Sequence, residues 1–469
     1  MPHPPVYLVS LGCAKNLVDS QVMLGALLKA QYPVVSLPAQ AEIIIINTCS
    51  FINAAKEEAL ETIFELAQYK KSGSCKYLIV SGCLPQRYGK SLSKLLPEVD
   101  VFIGTGEFYR IREVVESLRE TKNVSRFYLG KPRYLYDDRT DRVNTSFPGS
   151  AFIKIAEGCS HCCSFCIIPK IRGRFRSRPP DSIVKEALNL SAQGVKEINL
   201  IAQDTTMYGR DLSSKADLAF LLRRLAKVEG IEWIRLLYAN PQNISDELIR
   251  VIKEEEKMCK YFDIPLQHIN PEILNAMKRK NNPQVIYDLI AKIRHNIPEA
   301  TIRTTLMVGF PGETTKQFNE LVALVKRVKF DHLGVFAYSH EEGTIAAKVP
   351  GQITERIKEK RRRGLMSLQA KISRAKNKKL IGTVQKVLIE RKERSGGSGR
   401  IASQAPEVDG TTRVITKHPI LIPGKIYNIL VTKVGVYDLE GKVCSLPNHE
   451  IKKTFVSKTR RVKKSDQFN

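Results

Sequence analysis

The stretch Gly158-Cys159-Ser160-His161-Cys162-Cys163-Ser164-Phe165-Cys166 governs the reading of this chain, because it places four cysteines directly behind an apolar strand pattern at 152–156. Within it, Cys159-x3-Cys163-x2-Cys166 offers three thiolates. Three is the informative number, since a four-iron cluster on three protein thiolates keeps one iron free to bind a small molecule. Cys162 permits a competing set of Cys159, Cys162 and Cys166. A zinc site is the plain alternative for any close cysteine group, although no fourth ligand lies at a usual zinc spacing.

Downstream, strand patterns at 197–202, 233–238, 261–265, 302–309 and 332–338 alternate with helical patterns such as 183–192, 218–228 and 317–328. With 152–156 they make six βα units, an incomplete barrel over 151–351 whose site belongs at the carboxyl ends of its strands. Gln203-Asp204, Gln267-His268 and Gly309-Phe310-Pro311-Gly312-Glu313 fall just after such strands. Loop chemistry and a satisfied structural histidine explain them equally, so they receive no catalytic role. The run 170–178 could guide an anionic substrate or be a solvated basic face.

Upstream, 6–11, 42–47 and 76–81 are short apolar strands separated by helical patterns at 17–28 and 54–67, so residues 1–121 read as a parallel α/β sheet domain. Each strand runs into a cysteine: Cys13, Cys49 and Cys83. All three then leave the carboxyl edge, where open α/β sheets bind ligands, with about one βα unit between neighbours. Taken singly, each is a small buried hydrophobe. Together they can hold a second cluster with an open iron, to which a sulfur could be attached. Cys75, Cys259 and Cys444 show no such pattern and read as buried or unpaired.

Residues 122–150 read as a linker, 352–379 as a basic helical connector, and 380–450 as a small antiparallel β-barrel with strands at 382–390, 411–414, 425–434 and 442–446. Ser395-Gly396-Gly397-Ser398-Gly399 reads as a hairpin tip within it, and 451–469 as a basic tail. Hydrophobic content of 43% with 26% charged residues is ordinary for a globular chain of 469 residues, and apolar runs such as 43–46 are far too short to span a bilayer. Met1-Pro2-His3-Pro4-Pro5 does not begin a secretory leader, so the expected compartment is the cytoplasm, with no membrane partner. Ten cysteines in that reducing setting point to metal binding rather than disulfides. A net charge of +27 implies an anionic partner such as RNA or a ribonucleoprotein, with a basic proteome or a charged tail, 452–464 being itself a basic run, as the plain alternative.

The Cys159/Cys163/Cys166 spacing, continued by Ile167-Ile168-Pro169 and Arg172-Gly173, resembles the signature of the radical S-adenosylmethionine (SAM) superfamily, and in that register Cys162 is a bystander. Three N-terminal cysteines and a C-terminal segment similar to a TRAM domain extend the resemblance over nearly the whole chain, to the methylthiotransferases. Ser10-Leu11-Gly12-Cys13-Ala14-Lys15-Asn16-Leu17-Val18-Asp19-Ser20 looks like the RimO-type pattern, whereas tRNA-modifying MiaB relatives usually carry Gln-Met-Asn after that cysteine. Asn47-Thr48-Cys49-Ser50-Phe51-Ile52, Gln203-Asp204-Thr205-Thr206-Met207-Tyr208-Gly209 and Gln404-Ala405-Pro406-Glu407-Val408-Asp409-Gly410 resemble it too.

The resemblance implies two 4Fe-4S clusters, one on Cys13, Cys49 and Cys83 and one on Cys159, Cys163 and Cys166, with SAM bound at the second. It further implies methylthiolation of the β-carbon of an aspartate in protein twelve of the small ribosomal subunit, with a flavodoxin or ferredoxin as electron donor. One SAM would methylate sulfur on the first cluster, and another would yield a 5′-deoxyadenosyl radical that takes hydrogen from the substrate. No catalytic residue beyond the cluster ligands is implied. A tRNA adenosine methylthiotransferase is the neighbouring alternative, and a non-catalytic iron–sulfur or RNA-binding protein is the alternative from another class.

Overall fold

Near-continuous apolar runs such as Ile43-Ile44-Ile45-Ile46 suit strands covered on both faces. The computed structural model describes residues 3–120, 125–214, 216–279, 282–416 and 420–444, so the expected tail at 451–469 lies outside the described residues. In it a five-stranded parallel sheet runs in chain order through β1 (Val6–Ser10), β2 (Ile43–Thr48), β3 (Tyr77–Gly82), β4 (Val101–Gly104) and β5 (Phe127–Tyr128). Ile44, Ile46, Leu78 and Val80 pack against Ala59, Ile63 and Leu66 of the helix Asn53–Ala67. Ser10 stands opposite Asn47 and Asn47 opposite Ser81, so the first three strands end level with one another.

β4 and β5 extend the sheet beyond the three strands expected. Four and two residues are too short to show a period, and β5 lies in the stretch read as a linker. Much of the rest of that stretch is packed. Tyr136 is buried and donates to Glu186, while Arg142 donates to Gln21 at 3.0 Å and to the Phe152 carbonyl at 2.6 Å.

The next strands are β6 (Ser150–Lys154), the short pair β7 (Ala156–Glu157) and β8 (Arg176–Ser177), then β9 (Glu197–Ile201), β10 (Trp233–Leu236), β11 (Tyr261–Gln267), β12 (Thr301–Val308) and β13 (His332–Ala337). β6, β9 and β10 form one parallel sheet and β11, β12 and β13 another. The Ala239 amide donates to the Asp263 carbonyl at 2.8 Å and stitches the two together. This is the expected incomplete barrel of six parallel strands. The antiparallel β7–β8 pair was not expected; it brackets the cysteine loop.

The chain divides into two compact units, one containing the N-terminal sheet and the barrel, the other residues 147–149 and 367–469. The basic helical stretch is the helix Glu355–Lys378. The second unit holds a closed barrel in the order β14 (Val384–Glu393), β15 (Gly396–Ile401), β16 (Thr412–Ile415), β18 (Leu439–Val443), β17 (Ile426–Val434), with β16 and β18 parallel and the other neighbours antiparallel. Of the glycine-rich run only Ser395 lies in the turn of the β14–β15 hairpin, and residues 396–399 belong to β15. A Cβ on Gly399 would come within 1.9 Å of the Leu388 carbonyl oxygen, so close strand approach, rather than turning, explains the glycine. Among the described residues no helix is long and apolar enough to cross a membrane.

Candidate cluster-binding site

Level strand ends bring the first three cysteines to one edge. Cys13 precedes the helix Ala14–Lys29, Cys49 follows β2, and Cys83 opens the helix Cys83–Tyr88 behind β3. Asn16 joins their loops. Its Nδ2 donates to the carbonyls of Leu11 (3.0 Å) and Thr48 (2.9 Å), and its Oδ1 accepts from the Cys83 thiol at 3.5 Å. Gly12 has φ +87°, and a Cβ there would lie 2.6 Å from Cys49 Cβ and 3.0 Å from Cys49 Sγ. Gly12→Ala is therefore expected to displace Cys49, destabilising the protein by about 2–4 kcal/mol and lowering its reconstituted iron content. Thermal melting and an iron assay check this; an unchanged pair of values would contradict the close approach.

The second triad is held by backbone bonds on both sides of the loop. The Cys159 amide donates to the Gly173 carbonyl at 3.0 Å, the Cys166 amide to the Cys163 carbonyl at 3.1 Å, and the Ser164 amide to the Met277 carbonyl at 3.0 Å. Cys163 bears electrostatically on both Cys159 and Cys166, whereas Cys162 is exposed. Burial pushes the thiols of Cys159 to about 11 and of Cys166 and Cys83 to about 12, and raises Cys49 as well. Such thiols stay protonated at neutral pH unless a cationic centre stabilises the thiolate, which is what an iron cluster provides. Among the described residues no three His, Cys, Asp or Glu side chains are grouped as for a single metal ion. A four-iron cube takes one thiolate per iron, so its ligands would ring a cluster instead of meeting at a point.

A buried charge network joins the triads. Arg172 ends the short helix Ile168–Arg172 that follows Cys166, and it lies 2% exposed. Its guanidinium stands 3.8 Å from Cys83 Sγ, donates to Asn16 Oδ1, and pairs with Asp19 at 2.9 Å and Glu157 at 3.1 Å. Lys154 of β6 pairs with the same carboxylates at 2.5 Å and 2.6 Å. Burial alone would raise the Glu157 carboxyl, but Lys154 and Arg172 hold it well below the usual carboxylate range. A second tie runs from Arg87 to the Ser50 carbonyl and to Glu341 beyond β13, both at 2.7 Å, with Lys56 also on Glu341 at 3.0 Å. Lys15 reaches from the first triad to the ring of Tyr238 at the end of β10, and burial brings its ammonium down to about 8.

The weaker candidates divide. Gln203 donates to Glu157 at 2.9 Å, and Asp204 pairs with His161 of the cysteine loop at 2.6 Å, so both belong to the site's surroundings. His268 is buried between Glu313 at 3.4 Å and the Asn270 amide at 3.0 Å, a structural histidine. Of the network residues, Lys154 and Glu157 were not singled out in the sequence, and Asn16 and Asp19 stood there only within the motif at 10–20, without a role. Only the three-residue spacing of Lys154 and Glu157 offered a local signal.

Residues 153–325 match the family model of the radical SAM superfamily, 5–104 that of uncharacterized protein family UPF0004, and 381–444 that of the TRAM domain. Among solved structures, the radical SAM methyltransferase TsrM from Kitasatospora setae, with tryptophan and a SAM analogue bound, shares the fold at a TM-score of 0.54 and 15% identity, over 71% of this chain and 72% of that one. The ribosomal protein uS12 methylthiotransferase RimO of Geobacter sulfurreducens is 47% identical over 94% of this chain and 98% of its own length. The same enzyme of Geotalea uraniireducens is 49% identical over 93% and 98%. At that identity and coverage, with matching domains from end to end, the chain belongs to the family of ribosomal protein uS12 methylthiotransferases RimO.

Proposed function

We propose that this protein is a radical SAM methylthiotransferase that attaches a methylthio group to the β-carbon of an aspartate of ribosomal protein uS12. The observation that carries the reading is the single guanidinium of Arg172, which follows one cysteine triad by six residues of chain from Cys166 and stands 3.8 Å from a thiol of the other. Two cluster sites coupled so closely suit a reaction in which radical generation and sulfur delivery meet at one substrate carbon. Cys159, Cys163 and Cys166 would hold the cluster whose electron cleaves SAM, and Cys13, Cys49 and Cys83 the 4Fe-4S cluster that carries the sulfur.

The chain's own part is positioning. Asp19, Lys154, Glu157 and Arg172 tie the two triads together through buried ion pairs, and the Arg87–Glu341 tie fixes the Cys49 loop over the end of the barrel. The four side chains of the network are buried, so water does not compete for their ion pairs. A flavodoxin or ferredoxin fits as electron donor, and uS12 within the ribosomal subunit as the docking partner of a chain with net charge +27.

Mass spectrometry of uS12 and of bulk tRNA, after incubation with anaerobically reconstituted enzyme, SAM, sulfide and reductant, tests the reading. A methylthio mass gain on a uS12 aspartate supports it. Methylthio-adenosine in tRNA with unmodified uS12 transfers the chain to the tRNA branch, and a protein that never cleaves SAM is a binding protein only.

A further inference from the structure

A substrate carbon served by both clusters must stand between the Cys13/Cys49/Cys83 edge and the carboxyl ends of the barrel strands, and Lys15 reaches from the one side to the other. Lys15 sits two residues after Cys13 in the first turn of the helix Ala14–Lys29 and is 6% exposed. Its Nζ lies 3.0 Å from the centroid of the Tyr238 ring. Tyr238 is itself pinned at the end of β10, where its amide donates to Asp263 Oδ2 at 2.9 Å and its carbonyl accepts from the Thr205 amide at 3.0 Å.

The cations around Lys15 are already paired. Arg172 and Lys154 both hold Asp19 and Glu157. The nearby Asp263 is engaged by Tyr238 and by Arg303 at 3.0 Å. Lys15 makes no ion pair with any described carboxylate. A buried ammonium set over an aromatic ring without an ion pair of its own is partly compensated by the ring's negative face, and it can still donate to an incoming carboxylate.

We infer that Lys15 is the residue that takes the carboxylate of the substrate aspartate, and that it makes the site prefer an acidic side chain over a neutral one. The inference rests on the uS12 reading proposed above. A carboxylate held at Lys15 places its neighbouring β-carbon one bond away, in the gap between the triads.

The test uses the full-length, cluster-reconstituted enzyme and two probes: purified uS12, and uS12 with its target aspartate changed to asparagine. Wild-type enzyme is expected to bind the aspartate form roughly 10- to 100-fold more tightly, the range of a charge-assisted hydrogen bond. Lys15→Met is expected to reduce that preference to about one, through loss of affinity for the aspartate form, with a matching rise in KM. Lys15→Gln should do the same should the Met variant not fold, and Lys15→Arg should retain the preference.

Retention of the preference by Lys15→Met or Lys15→Gln overturns the assignment. So does a variant that keeps the preference but binds SAM less tightly, because the cation then serves the cofactor. Wild-type enzyme that binds neither form of uS12 overturns the functional reading and the assignment together, which separates that failure from the failure of Lys15 alone.

Discussion

Arg172→Met is expected to destabilise the N-terminal and barrel unit by about 3–5 kcal/mol, the usual consequence of removing one member of a buried ionic group. The native group has two carboxylates, Asp19 and Glu157, and two cations, Lys154 and Arg172, all of them buried. Without the guanidinium, one ammonium must serve both carboxylates, and a net negative charge is left out of reach of water. The Asn16 Oδ1 and Cys83 Sγ contacts disappear with it, so the first triad loosens as well.

The pH dependence of this effect has a definite sign. In the folded protein Glu157 is held below its ordinary value of 4.5, so it contributes stability that is complete above that value and is lost as pH falls through the folded one. Wild-type protein should therefore keep this contribution down to about pH 4.5 and lose it only in stronger acid. In Arg172→Met the Glu157 carboxyl is held down less, and the acid limb of the stability curve moves toward neutral pH. Urea denaturation at pH 7 and at about pH 3 reads both effects. Equal midpoints for variant and wild type at both pH values would show that the network does not hold the two domains together.

The positions of the cysteines were legible because each rests on a local pattern: an apolar strand followed at once by Cys13, Cys49, Cys83 or the Cys159 loop. The barrel was legible for the same reason, since each βα unit carries its own period. Strand β5 was not, because two residues have no period, and β15 was hidden by glycines whose role is to let strands approach. The network that joins the two triads was the least legible. Lys154 and Asp19 meet across 135 residues of sequence, and nothing in either neighbourhood marks the other as a partner. Lys15 stood in the sequence only as one residue of the motif at 10–20; the fold places its ammonium over Tyr238.

Cys163→Ala is expected to abolish SAM cleavage and methylthiolation together, whereas Cys13→Ala should keep SAM cleavage and lose methylthiolation by roughly a thousandfold or more. The asymmetry follows from where the thiols sit. Cys163 lies in a loop fixed to the barrel by the Gly173 and Met277 carbonyls, and none of those bonds involves the N-terminal sheet. Cys13 stands at the N-cap of a helix of that sheet, outside the barrel loop. Removing Cys13 thus leaves the SAM-cleaving cluster its three thiolates, and each variant should bind about four irons instead of about eight. The loss in Cys13→Ala is large because the sulfur would no longer be held beside the carbon that must capture it, and positioning of that kind is worth many orders of magnitude in effective concentration. Parallel measurement of 5′-deoxyadenosine and of methylthiolated uS12 separates the two outcomes. Full methylthiolation by Cys13→Ala would remove the division of labour between the triads, and loss of 5′-deoxyadenosine in that variant would mean that the first triad, not only the second, sustains SAM cleavage.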